Sequence, residues 1–96
     1  MKFKVLYKVV LKAKKHVRTG ATKHFMNGGL INEMPYFLQI EANPMVNGEV
    51  YLIHYNIEGE EVADTLHDGV EDAMEQALWE FKVKRGDWSA LAGPSM

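Results

Sequence analysis

The sequence predicts an α+β domain: an antiparallel meander of four or five strands with one carboxyl-terminal helix packed on one face. Three observations point there. Residues 2–12 alternate lysine with apolar side chains, the period of a half-buried strand. The dipeptides Asn47-Gly48 and Glu58-Gly59 then separate short runs rich in β-branched and aromatic residues, as hairpin turns do. Val70, Ala73, Met74, Ala77, Leu78 and Phe81 recur at helical spacing. No strand–helix–strand spacing calls for a parallel sheet.

The chain has 96 residues, 47% of them hydrophobic and 25% charged, which suits one globular domain, expected over 1–88 with a tail at 89–96. The absence of cysteine removes disulfides, thiolate zinc sites and cysteine nucleophiles, and fits a reducing cytoplasm. Lysines interrupt every apolar run near the amino terminus, so neither a secretory h-region nor a membrane span is expected there. The net charge of −2 hides an asymmetry: residues 1–32 carry eight Lys/Arg and no acid, whereas 33–96 carry three Lys/Arg and all thirteen acids. A basic half invites a nucleic-acid reading. Lys2, Lys4, Lys8 and Lys12 share a strand face without interleaved aromatics, however, so pairing with the acidic half is expected instead.

In strand one, Phe3, Val5, Tyr7, Val9 and Leu11 face the core, and Leu6 and Val10 interrupt the lysine face. Residues 13–35 show no sustained period. Gly20 and Asn27-Gly28-Gly29 mark turns around a short strand or hairpin near 22–26. Tyr36–Ala42 is strand-like, with Leu38 and Ile40 on one face. It is followed by strands at Glu49–Ile57 and Glu60–Leu66. Pairing of these two across Glu58-Gly59 assigns Tyr51, Ile53, Tyr55, Val62 and Leu66 to the core side. The helix is expected from 69 to 85. Asp68 would be its N-cap, Glu71 would complete a capping box, and Gly86 would supply the left-handed residue after its end.

Asp64 is the misfit on the expected core side, and a carboxylate there needs a partner or a raised pKa. Asp64, Tyr51 and Tyr55 are therefore the candidate ligand-binding residues. His16, His24, His54 and His67 follow no metal-site spacing, and both serines, Ser89 and Ser95, lie in the tail. No catalytic residue, metal or cofactor is expected. Trp79 and Trp88 lie off the helix stripe, where tryptophan offers contact area with a polar tip. The expected function is a non-enzymatic binding or interaction module. The alternative is a small-molecule binder or enzyme with a pocket near Asp64, Tyr51 and Tyr55.

The segment Asp64-Thr65-Leu66-His67-Asp68, with Glu71-Asp72-Ala73, Glu75-Gln76-Ala77, Glu80-Phe81 and Asp87-Trp88, resembles the carboxyl-terminal helix of small bacterial proteins carried on mobile elements such as integron cassettes. The resemblance implies a bacterial accessory protein, either of the immunity type or a ligand-binding module. It implies no catalytic residue.

One helix covers one side of such a sheet, and the other side is expected to be only partly polar, with Leu6, Val10, Phe37, Val50 and Leu52 on it. A homodimer or dimer-based oligomer joined through those residues is the expected partner state.

Overall fold

A computed structural model describes residues 3–12, 15–17, 19, 24–26, 29–31 and 34–91. The strands are β1 (Lys4–Val10), β2 (His24–Met26), β3 (Gly29–Ile31), β4 (Phe37–Ala42), β5 (Val50–Tyr55), β6 (Glu61–His67) and β7 (Ser89–Ala90). One helix, α1 (Val70–Phe81), is followed by a 3₁₀ turn at Arg85–Asp87. Five strands form an antiparallel sheet in the order β6-β5-β4-β1-β7, and β2 and β3 form a separate hairpin. The fold is α+β, with the helix packed on the sheet. Only β4, β5 and β6 make a meander, because the chain leaves through the hairpin after β1 and returns to pair β4 with it. The turns expected at Gly20 and Asn27-Gly28 and the tail beyond Leu91 lie outside the described residues. Ser89 and Ala90, expected in the tail, pair instead with Lys8 and Tyr7.

Both predicted hairpin turns form, with Gly48 and Gly59 at φ of 85° and 81°. In that left-handed region a side chain would be strained whatever space surrounds it. The registers Ile40↔Leu52 and Leu52↔Thr65 then place residues of known parity on each face. One face carries the rows Val9–Leu38–His54–Ala63 and Tyr7–Ile40–Leu52–Thr65, and α1 covers it. Its core comprises Leu38, Ile40, Val50 and Leu52 from the sheet with Ala73, Met74, Ala77 and Phe81 from the helix; Val83 and Trp88 close one end. This corrects the expected core side: Tyr51, Tyr55, Asp64 and Leu66 lie on the opposite face, and Leu66 is 56% exposed. The odd residues of β1 do face the helix from Tyr7 onwards. A bulge at Leu6 reverses the parity before it, so Val5 pairs with Glu41 on the far face.

The helix is shorter than predicted. Its N-cap is Gly69, with no side-chain cap; the carbonyl of Gly69 accepts from Ala73 N–H at 3.1 Å. Asp68 does not cap, because the β6 ladder runs to His67 and Asp68-Gly69 are consumed in turning the chain. At the other end Lys82, not Gly86, takes the left-handed conformation at φ 61°. Val83 N–H returns to the Ala77 carbonyl at 3.4 Å, and the Val83 side chain, fully buried, supplies the apolar contact that accompanies this closure. The last carbonyls are taken by an outside segment. Val17 N–H donates to Phe81 O (3.1 Å), Thr19 N–H to Glu80 O (2.9 Å) and Thr19 Oγ1 to Trp79 O (2.6 Å). No helix among the described residues is long and apolar enough to cross a membrane.

Candidate ligand-binding site

The passage from β6 into α1 takes only Asp68 and Gly69, so the last strand residue, His67, stands beside the first helical turn. On the helix, Asp72, Glu75, Gln76 and Trp79 fall at i, i+3, i+4 and i+7 and share one flank. His67 and this flank, with Leu78, line an open cavity of about 510 Å³. Its apolar wall is exposed, Leu78 by 49% and Trp79 by 55%. Two carboxylates, Asp72 and Glu75, give it a negative rim.

His67 is held on both sides. Its Nδ1 lies 2.8 Å from Asp72 Oδ2 and its Nε2 lies 2.7 Å from Thr65 Oγ1. An ionised carboxylate only accepts, so Nδ1 carries the hydrogen, and in the neutral ring Nε2 accepts from the Thr65 hydroxyl. The imidazole is thereby fixed in one orientation with 8% of its surface exposed. A hydroxyl–imidazole–carboxylate chain is also the arrangement of nucleophilic catalysis. Here the carboxylate stands at the cavity, with 60% of its side chain exposed, and Thr65 is not among the cavity's lining residues.

The sequence-predicted trio lies elsewhere. Tyr51, Tyr55 and Asp64 do share a face, the one turned away from α1, in the rows Leu66–Tyr51–Glu41, Asp64–Ile53–Gln39 and Glu61–Tyr55–Phe37. Asp64 is exposed on β6, the strand at the edge of the sheet. Tyr55 Oη donates to Glu41 Oε2, which also accepts from Gln39 Nε2 at 2.6 Å. Burial, then the hydrogen bond to Glu41 and its charge, push the Tyr55 hydroxyl far above its ordinary value. A hydrogen bond to Asp64, burial and the charges of Asp64 and Glu41 push the Glu61 carboxyl up to about 7. Tyr51 donates to Glu49 Oε1 at 3.2 Å and is raised by burial and by that carboxylate. These hydroxyls are thus turned to neighbouring acids.

The predicted interface residues are split. Val50 and Leu52 lie beneath the helix, Leu52 with no exposed surface, and Leu6 packs partly buried against the same core. Val10 and Phe37 are on the opposite face. His54 is inside the core: its Nε2 is 3.6 Å from Glu80 Oε1, with 1% and 0% of the two side chains exposed. Glu80 was absent from the predicted stripe, while Leu78, which was in it, is exposed.

A second cavity of about 500 Å³ near β1 and β7 is more basic, with Lys8, Lys12, Lys15 and His16. Asp87 neutralises much of that charge, accepting from Lys15 Nζ (2.8 Å), from Lys84 N–H (2.9 Å) and from His16 Nε2 (3.1 Å). Lys8 is drawn onto the Phe37 ring, 4.4 Å from its centroid. Among the described residues no group of three or more His, Asp or Glu is placed to hold a metal ion.

The residues of the cavity beside His67 carried a signal that the core stripe masked. Asp72, Glu75, Gln76 and Trp79 have the same spacing as the core stripe, rotated to the flank. A tryptophan on an acidic flank beside a strand-end histidine is the combination to look for. The chain matches no protein-family model, no curated protein and no solved structure.

Proposed function

We propose that this protein is a small-molecule-binding module whose ligand is an organic cation with an apolar body, held in the cavity between His67 and the flank of α1. One observation carries the reading: two carboxylates and an exposed indole converge on one side of a cavity of about 510 Å³. An ammonium or guanidinium group would meet Asp72 and Glu75. The face of Trp79 attracts a cation and shields a hydrocarbon body, which Leu78 also contacts. His67, locked by Thr65 and Asp72, offers a fixed wall. Binding is favoured over catalysis because Thr65, whose hydroxyl meets His67, does not line the cavity. A ligand-binding module is also one of the two kinds of accessory protein that the resemblance in the helix segment implies.

Calorimetric titration with phenethylamine, its alcohol analogue and its carboxylate analogue tests the reading. The amine should bind, the alcohol more weakly, and the carboxylate not at all. The double variant Asp72→Asn/Glu75→Gln should weaken the amine by about tenfold or more, the scale of charge-assisted hydrogen bonds. Equal binding of all three, or of the amine by both proteins, overturns it.

A further inference from the structure

The sheet face turned away from α1 is built of four strands and three rows: Leu66–Tyr51–Glu41–Val5, Asp64–Ile53–Gln39–Lys8 and Glu61–Tyr55–Phe37–Val10. Its chemistry is graded across the strands. The acids Glu61 and Asp64 stand on β6, at one side, with Glu41 farther in on β4, and the lysine stands on β1, at the other. Between them lie aromatic rings already ordered in stacks. Phe37 and Tyr55 are 4.7 Å apart and inclined by 10°, and Phe3 lies 5.0 Å from Tyr51. Leu66 and Val10, at opposite corners, are 56% and 40% exposed.

We propose that this face binds a second copy of the chain, about a two-fold axis that runs along the strands between β4 and β5. Such an axis lays β6 of one copy over β1 of the other and β5 over β4, so each row meets itself reversed. Asp64 then faces Lys8 of the second copy, and its own Lys8 faces that copy's Asp64. Tyr55 meets Phe37, and Leu66 meets Val5, each contact occurring twice. Glu61 meets Val10, an apolar neighbour suited to a carboxyl that the hydrogen bond to Asp64 and burial already hold up to about 7. The acid-to-lysine gradient makes the face complementary to itself in this orientation alone: rotation about an axis across the strands sets β6 acids on β6 acids. The footprint is modest. Four strands about 4.8 Å apart and three rows about 6.8 Å apart span at most roughly 400 Å² per copy, and Glu41 and Ile53, 6% and 3% exposed, add little contact to it, which places the assembly among weak, reversible dimers.

Sedimentation equilibrium from micromolar to millimolar protein reads the proposal directly. The wild type should pass from monomer to dimer, and the transition should move to higher concentration as salt rises. Asp64→Lys and Lys8→Asp, each checked for cooperative unfolding, should each weaken self-association by about tenfold or more, since two attractions become two repulsions. An equimolar mixture of the two variants should dimerise like the wild type, because the hetero-pair restores both contacts. A wild type that stays monomeric at millimolar concentration overturns the proposal. So does either variant dimerising normally, or a mixture that stays dissociated. None of these results touches the cavity on the helix side, whose ligand binding is measured separately.

Discussion

Phe81 is the side chain on which the helix is seated. It ends α1, is completely buried, and meets the His54 ring edge-on at 5.2 Å between centroids. The chain turns immediately after it, at Lys82, so relaxation there is limited by the closure that buries Val83. Phe81→Ala should therefore cost ~3–5 kcal/mol, the range for emptying a large aromatic site in a core. Urea unfolding followed by far-ultraviolet circular dichroism reads this as a fall in midpoint at unchanged slope. A midpoint equal to that of the wild type would mean that the helix does not rest on this ring.

The helix and the sheet are joined by a polar link as well as an apolar one. His54 on β5 and Glu80 on α1 face each other with almost no exposed surface, and Gln76 Nε2 also donates to Glu80 Oε1 at 3.4 Å. Removing one member of a buried polar pair leaves the other desolvated without this contact, whereas replacing both by apolar groups is often neutral. Glu80→Leu should accordingly cost ~3–5 kcal/mol, and His54→Leu/Glu80→Leu should regain most of the loss. A double-mutant cycle in urea measures the coupling, and additive effects would refute it. The same elements show where the sequence was readable. Turns at Gly48 and Gly59 depend on local backbone chemistry, and alternation in β1 and the stripe in α1 are local periods, so these elements were legible, whereas the two-residue strand at Ser89–Ala90 is too short to carry a period and was not. The choice of sheet face was not. β5 is apolar on both sides, Val50-Leu52 against Tyr51-Ile53-Tyr55, so its own pattern favours neither. The register decides: Leu38 and Ile40 pair with His54 and Leu52, and that even-numbered set takes the helix. The candidate site was legible only in part. Tyr51, Tyr55 and Asp64 share a face, but it is the one away from α1 and not the expected core side, and the cavity depends on how α1 lies beside β6, which no local period encodes.

For the molecule as a whole, two carboxyl groups set opposite limits on stability against pH. Glu61 is raised in the folded state, to about 7 from 4.5, so the fold holds that proton more tightly than the unfolded chain does. Its contribution is complete below about pH 4.5 and is lost as the pH rises through about 7. Asp87 is shifted the other way. The hydrogen bonds from Lys15, Lys84 N–H and His16 hold it well below its ordinary 3.8, so its contribution is present above that value and is lost in stronger acid. Thermal stability should peak between the two windows. Melting temperatures measured across the pH range should show Glu61→Gln removing the decline between about pH 4.5 and 7 and Asp87→Asn removing the acid decline. A wild-type profile that stays flat from mild acid to mild alkali would contradict the first assignment.

The strand order has a consequence for the order of synthesis. β1 emerges before every other described strand, yet the ladder on one side of it waits for β4 and that on the other for β7, near residue 90. Until Ser89 and Ala90 settle against Lys8 and Tyr7, and Leu91 N–H reaches the Leu6 carbonyl at 2.9 Å, that margin of the sheet is open to any extended chain nearby. Lys4 and Lys8 along it act as gatekeepers, since like charges repel a second nascent chain aligned on the same strand. Translation thus leaves β1 guarded by charge alone until residues 89–91 arrive.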